Sequence, residues 1–466
     1  FSNWDRLSTC SFDTILVPFI LIFFVFRFFV LNDELNDEVI ETSNLKDYNI
    51  EDYIDISCFA DISSYYVYGT HFNIEGTLNN VHDIFNECGI QSTSDVYFEI
   101  CLKNLTDEIK YNLDYEIDEE NGSVNFKLSE NINDGIYLDD ISTGEYLLLL
   151  KLNYKVKNSE LNNDETYCRY ISFNVNYSYD DIEYYTITKD DTNNKIVIKQ
   201  ENNNNKNLIK FIVSEDSISD EEIYDITLDA GHGGIDSGAV KDDYYESDIV
   251  LEYVKLLKSE LEEMGLKVKL TRDSDVYVAP YGLDGRAVIP NLVKSKYCFS
   301  LHLNSNEITL YNGGVEVYCP SNIDYGFART LVNNILENTN IDTSVNYSNK
   351  VEEGIYVNNF TSAQIKEADD YAEEMGYEKY TITTDTPYLF MLRETGGIAT
   401  NAYVDGRNTE YDENPYHNSN QACEAYLLEL GYINVSSDLK NILNQKEEYV
   451  KAIANSIQSL VNNEIN

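Results

Sequence analysis

The sequence predicts a multi-domain chain: an N-terminal transmembrane anchor, a β-sandwich-like (Ig-like) region, and a C-terminal α/β domain whose mostly parallel sheet is flanked by helices. Three observations predict it. One long apolar run lies near the start. Many short alternating runs with turn-type punctuation follow, and from Tyr224 strand and helix patterns alternate. With 43% hydrophobic residues, including 39 Tyr and 19 Phe, the chain is too apolar for a disordered acidic polymer. Its 466 residues carry 82 Asp+Glu against 33 Lys+Arg, a net charge of −49. That balance gives no counterion-release drive toward nucleic acid and no electrostatic attraction to anionic lipid headgroups.

Residues 14–31 (TILVPFILIFFVFRFFVL) are apolar except for Thr14 and Arg27. At about 1.5 Å per residue, a helix of that length nearly crosses a ~30 Å hydrocarbon core. No small-x-small cleavage site precedes Asn32, which favours an uncleaved signal anchor over residues 1–31. Acids at Asp33, Glu34, Asp37 and Glu38 follow, in a solvated acidic linker over 32–50. That flank has no cytoplasmic signature. The expectation is a single-pass protein of the cell membrane with its bulk outside the cell.

Residues 51–213 read as β throughout. Period-two or aromatic-rich runs are separated by Glu120-Asn121-Gly122, Asn133-Asp134-Gly135 and similar clusters. Short strands at such spacing suggest Ig-like packing. His71 and His82 are read as strand or surface histidines. Cys58, Cys88, Cys101 and Cys168 share this region, and an exported location permits a bridge among them. The eight cysteines form no CxxC pair and no zinc-finger spacing. A polar linker over 214–223 closes the region.

The α/β domain occupies 224–466. Its expected elements are a strand over 225–229, a helix over 245–264, a strand over 266–271, a helix over 283–294, strands over 297–301 and 314–318, and helices over 325–337, 362–375 and 447–462. In an open α/β sheet, functional groups gather beyond the carboxyl ends of the strands. Two histidines stand at such ends. His232 lies in Asp229-Ala230-Gly231-His232-Gly233-Gly234-Ile235-Asp236-Ser237-Gly238-Ala239, where flanking glycines let other groups approach the imidazole closely. The second, His302, ends the apolar run Ser300-Leu301-His302-Leu303-Asn304. Two imidazoles and one carboxylate make a three-ligand zinc site with an open fourth position. Glu246, which opens the following helix, is one source of the carboxylate; Asp242, Asp243 and Asp248 are rivals. Glu429 sits alone in the apolar segment Leu427-Leu428-Glu429-Leu430-Gly431-Tyr432-Ile433-Asn434. A carboxylate at a buried strand end is costly unless paired or near a cation, which makes Glu429 a candidate base.

Taken together, DAGHGGIDSGA, the glutamate fourteen residues after its histidine, SLHLN and LLELGYIN resemble the zinc-dependent N-acetylmuramoyl-L-alanine amidases, the family 3 amidases of bacterial cell-wall hydrolases. Thr271-Arg272, Arg286 in a helix, and Gly313-Gly314-Val315-Glu316 support the resemblance, which covers roughly 225–466. It implies His232, Glu246 and His302 as zinc ligands, Glu429 as the catalytic glutamate, and peptidoglycan as substrate. The implied reaction is hydrolysis of the amide between N-acetylmuramic acid and L-alanine. Asp236, Arg286 and Asn304 are candidate supporting residues around the ligands. Another zinc peptidase or amidohydrolase, or a non-catalytic wall-binding protein, are the alternative readings.

Two stretches depart from the family pattern. Leu389-Phe390-Met391-Leu392-Arg393 stands where relatives carry a strand leading quickly to the catalytic glutamate, but here residues 394–423 intervene. Residues 351–387 also look expanded. Such long insertions are lids, autoinhibitory segments or neutral decoration. His417, in the second insertion, reads as loop surface.

Overall fold

The computed structural model describes residues 58–463 apart from 159–162, 176–180, 187–192, 204–205, 217–222, 281–283, 307–312, 347, 377–381 and 397–420. The expected anchor (1–31), the acidic linker (32–50), Cys10 and His417 lie outside the described residues, as does most of the 214–223 linker. Among the described residues no helix is long and apolar enough to cross a membrane.

From Phe59 to Asp216 the described residues are mostly strand, with one short α-helix, Val81–Cys88, and two single 3-10 turns. Hydrogen bonding runs continuously through thirteen strands, two residues of the later domain included. The ladder nevertheless folds back on itself around a core. Strand Asn163–Val175 pairs with Gly144–Asn158 through its first part and with Phe59–Tyr68 through its last. Ring contacts close the layers: Phe72 meets Phe211 edge-on at 5.0 Å and Phe98 meets Tyr115 at 5.2 Å. Described cysteines here, Cys58, Cys88, Cys101 and Cys168, form no disulfide.

The α/β domain is built on a seven-stranded sheet. Its order is Val268–Leu270, Ile226–Ala230, Tyr297–Asn304, Glu424–Tyr432, Glu316–Tyr318, Ile355–Tyr356, Lys350–Glu352. The first four run parallel. Ile226–Ala230 is buried at every position, as a strand covered on both faces must be. Against the expectation of a mostly parallel sheet, the sheet is mixed. Glu316–Tyr318 runs antiparallel to Glu424–Tyr432, and Lys350–Glu352 antiparallel to Ile355–Tyr356. The reason lies in the connection. The chain leaves the His302 strand at its carboxyl end and re-enters the sheet at that same end, so it must run back. That return places Glu316 among the groups at the carboxyl ends.

Helices Glu246–Glu263, Gly326–Asn338 and Lys446–Val461 cover the sheet. Tyr253 and Tyr449 join two of them edge to face at 5.9 Å, and Asn334 Nδ2 donates to Ser456 Oγ at 2.8 Å. Two expected elements differ and one was not expected. The helix expected over 283–294 shortens to Ile289–Leu292, and Arg286 lies in a turn before it. The Leu389–Arg393 segment is not a strand: Met391–Thr395 forms a π-type turn of helix packed against the Glu429 strand. Helix Ser436–Asn444, which the periodicity did not reveal, follows that strand. In the 351–387 insertion, helix Ser362–Met375 carries a full capping box from Thr361 and Gln364. It packs Ile365 and Ala368 with Phe360 and Ile382 in a small separate cluster.

The two regions share a seam at the amino ends of the parallel strands. Gln421–Ala422 pairs in parallel with Val67–Tyr68, and Gly69 N donates to Ala422 O at 2.9 Å. The Tyr68 ring enters the core of the α/β domain, and its hydroxyl accepts from Ala425 N at 3.3 Å. Two charged side chains are sealed here. Glu424 accepts from Tyr426 Oη at 2.5 Å and from Asn133 Nδ2 at 3.4 Å. Lys296 Nζ lies 3.7 Å from Asp139 and 4.7 Å from the centre of the Tyr184 ring.

Candidate active site

Strand Ile226–Ala230 delivers the chain into the glycine turn. Asp229, wholly buried, anchors that turn. Its Oδ1 accepts from Thr271 Oγ1 at 2.7 Å and Arg286 Nη1 at 2.9 Å, and its Oδ2 accepts from Ser300 Oγ at 2.6 Å. Burial pushes the Asp229 carboxyl up, but the Arg286 guanidinium and the Ser300 hydroxyl outweigh it and hold it below the usual range. Two arginines fix the turn's carbonyls. Arg272 donates to Ala230 O (3.0 Å), Gly231 O (2.8 Å) and Ser247 O (2.8 Å); Arg286 donates to Ala230 O (3.0 Å) and His232 O (2.9 Å). His232 itself is held at φ 61°, a left-handed conformation uncommon for a non-glycine residue. Strained backbone of this kind persists only where its surroundings over-determine it.

The structure brings His232, Glu246 and His302 together, with one ligand atom of each within 4.8 Å of the others. Glu246 Oε1 faces His232 Nε2 at 3.2 Å and His302 Nδ1 at 3.0 Å. Leu303 N also donates to this oxygen at 2.9 Å, while Ala239 N donates to Oε2 at 2.8 Å. Burial pushes the Glu246 carboxyl up; hydrogen bonds from the two histidines outweigh it and hold it well below the usual range. For His232, burial disfavours the imidazolium, but Glu246 and Asp236 overcome it and raise its pKa. Two glycines make the close packing feasible. A Cβ on Gly231 would stand 2.3 Å from His302 Cε1, and one on Gly238 would stand 2.6 Å from both Glu246 Oε2 and His232 Cδ2.

The candidate supporting residues divide. Asp236 Oδ2 contacts His232 Nδ1 at 2.9 Å, which fixes the ring and leaves Nε2 toward Glu246. Arg286 touches no ligand side chain and holds Asp229 and the turn's backbone instead. Asn304 reaches away from the histidines and donates to Glu316 Oε2 at 2.9 Å. The rivals Asp242, Asp243 and Asp248 are exposed.

Glu429 stands opposite His302 on the neighbouring strand and opposite Glu316 on the other side. Its Oε2 is enclosed and has no hydrogen-bond partner among the described residues. Burial, reinforced by Glu246 and Glu316, pushes its carboxyl well above the usual range. Glu316, fully buried, accepts from Tyr432 Oη (2.6 Å), Tyr318 Oη (2.7 Å) and Asn304 Nδ2 (2.9 Å). Sequence reasoning did not single it out as a site residue. The signal was available: an acid between Val315 and Val317 in an apolar strand poses the same question as Glu429.

The residues fit a zinc ion. Two imidazoles and one carboxylate converge, a second carboxylate orients one imidazole, and glycines line the cradle. The model of the N-acetylmuramoyl-L-alanine amidase family matches residues 226–459, half of the chain. An endolysin of Bacillus phage SPP1 is 48% identical over 94 residues, 20% of this chain and 32% of the relative. The germination-specific N-acetylmuramoyl-L-alanine amidase of Bacillus subtilis (strain 168) is 34% identical over 104 residues, 20% of this chain and 44% of the relative. The matched stretch thus spans less than half the length of these curated relatives. Among solved structures, N-acetylmuramoyl-L-alanine amidase AmiC2 of Nostoc punctiforme aligns at 22% identity with a TM-score of 0.33, covering 52% of this chain and 98% of that one. By its family match and the residues that carry it, this chain belongs to the N-acetylmuramoyl-L-alanine amidase family.

Proposed function

We propose that the chain hydrolyses the amide bond between N-acetylmuramic acid and L-alanine in peptidoglycan, with zinc held by His232, Glu246 and His302 and with Glu429 as the proton carrier. The observation that carries this reading is the convergence of the three ligand residues beside a carboxylate whose enclosed oxygen has no partner among the described residues. When bound, zinc supplies Lewis acidity that acidifies water and polarises an amide carbonyl. The protein supplies the rest. Asp236 keeps His232 in one orientation, and Arg272 and Arg286 hold the backbone that carries it. Glu429 takes the proton of the attacking water at its carboxylate and delivers it to the departing alanine nitrogen. The apolar stretch 14–31 supports a tether to the cell membrane, with the site on the wall side.

The test is digestion of purified peptidoglycan with and without a chelator, reading new L-alanine amino termini on released stem peptides. Cleavage should stop with chelator and return with zinc. Glu429→Gln should keep the metal and lose about 10²–10⁴-fold in turnover; His232→Ala should lose both. New amino termini elsewhere in the stem peptide would instead indicate a zinc peptidase. A Glu429→Gln protein that cleaves at the wild-type rate would remove Glu429 from the mechanism.

A further inference from the structure

Large exposed apolar side chains concentrate beside the His232–Glu246 pair. Ile235, at the tip of the glycine turn, is 90% exposed, and Val240, Tyr244, Tyr245, Val276 and Tyr277 are each close to half exposed. They form one rim because their backbones are tied together. Gly234 N donates to Asp275 Oδ1 at 2.7 Å, and a Cβ on Gly234 would stand 2.5 Å from Tyr277 N, so the turn lies directly on the 275–277 segment. Val240 pairs with Tyr245 in a two-residue hairpin, whose end opens the helix beginning at Glu246. Every member is therefore within a few residues of a ligand or packed on the turn that bears one.

Charge decides what this rim can hold. Asp242, Asp243, Asp273 and Asp275 are exposed around it. Lys241 Nζ sits on Asp242 at 3.4 Å, and buried Arg272 is engaged by backbone carbonyls. A stem peptide bears free carboxylates and would be repelled. The glycan is neutral once its lactyl group is in amide linkage, and its pyranose rings present apolar C–H faces to aromatic side chains. Resting on the amidase reading, we propose that Tyr277, Ile235 and Tyr244 form a glycan-binding rim that stacks on sugar rings flanking the muramoyl unit being cleaved. The rim makes long glycan strands better substrates than single muramoyl peptides.

The experiment measures kcat/KM on long peptidoglycan strands and on a disaccharide muropeptide monomer, for wild type, Tyr277→Ala, Tyr244→Ala and Ile235→Ser. Loss of one ring stack should lower the polymer-to-monomer ratio about fivefold to tenfold. Leu256→Ala, on the exposed outer face of the Glu246 helix, is the control and should leave both rates unchanged. In parallel, sedimentation with an insoluble uncharged β-1,4-linked N-acetylglucosamine polymer (chitin) in the presence of chelator reads glycan binding without catalysis, and the rim variants should no longer sediment with it. Equal losses on polymer and monomer, or unaltered rates on both, would overturn the proposal. So would losses that follow stem-peptide length rather than glycan length. If wild type binds glycan but cleaves no muramoyl–alanine bond, the amidase reading fails while the rim stands.

Discussion

The acids that position the histidines, at the carboxyl ends of the parallel strands, and the acid at the seam, at their amino ends, are treated in opposite ways. At the carboxyl ends, each buried acid that organises the site is saturated with donors. Asp229 has an arginine and two hydroxyls, and Glu246 has two backbone amides and two imidazoles. At the amino ends, Glu424 has a phenol and one long amide contact but no cation, and the ammonium of Lys296 has no hydrogen-bond partner among the described residues. Burial pushes the Glu424 carboxyl up to about 7, whereas Asp229 is held below the usual range. The same sheet thus keeps Asp229 and Glu246 charged beneath the histidines and discourages ionisation at Glu424, where two regions are glued together; Glu429, the one site acid without a full donor set, follows Glu424 and is pushed up. Completeness of the donor set makes the difference, because Asp229 and Glu424 are equally sealed from water.

The sharpest way to break this contrast is Arg286→Leu. It strands the Asp229 carboxylate in the core and should cost about 3–5 kcal/mol in urea denaturation. A loss under about 1 kcal/mol would mean that hydroxyl partners alone satisfy Asp229. Next comes pH at the seam. Glu424 binds its proton more tightly folded than unfolded, so its contribution is full below about pH 4.5 and is lost as pH rises through about 7. The loss is on the order of 3 kcal/mol. Glu424→Gln mimics the protonated acid, so its advantage over wild type should grow from pH 5 to pH 8; parallel melting-temperature profiles would contradict this. A smaller effect is expected at the site end from Asp236→Ala. Freed from its partner, His232 should bind zinc about 10–100-fold more weakly in a chelator competition. Smallest is Gly69→Ala. Gly69 sits at φ +58° with its would-be Cβ 2.9 Å from Glu424 Cβ, so about 1–2 kcal/mol should be lost. An unchanged melting temperature would show that the seam relaxes around the methyl group.

Much of the site could be read from the sequence because its signals are local. The glycine turn around His232, the acid opening the next helix, and histidine and glutamate in apolar strands each depend on a handful of neighbours. What could not be read depends on distant partners. Strand direction at Glu316 follows from which end of the sheet the connection reaches, and periodicity does not record that. Pro290 and Gly285 confine the helix expected over 283–294, leaving Arg286 free in a turn to reach Asp229, 57 residues away in the chain. The seam is the extreme case: Tyr68 looks like one more strand tyrosine until it enters the core beside Tyr426.

The pairing of Gln421–Ala422 with Val67–Tyr68 has a consequence for counting. Side chains on a strand change face at every residue, so Glu429 points toward His302 only while the register between residues 421 and 429 is correct. The 394–423 insertion feeds this strand, and a slip of one residue would turn the glutamate to the opposite face. By pairing with 421 and 422 before the strand begins, the β-rich region adds a constraint on that register to the one imposed by the neighbouring strands.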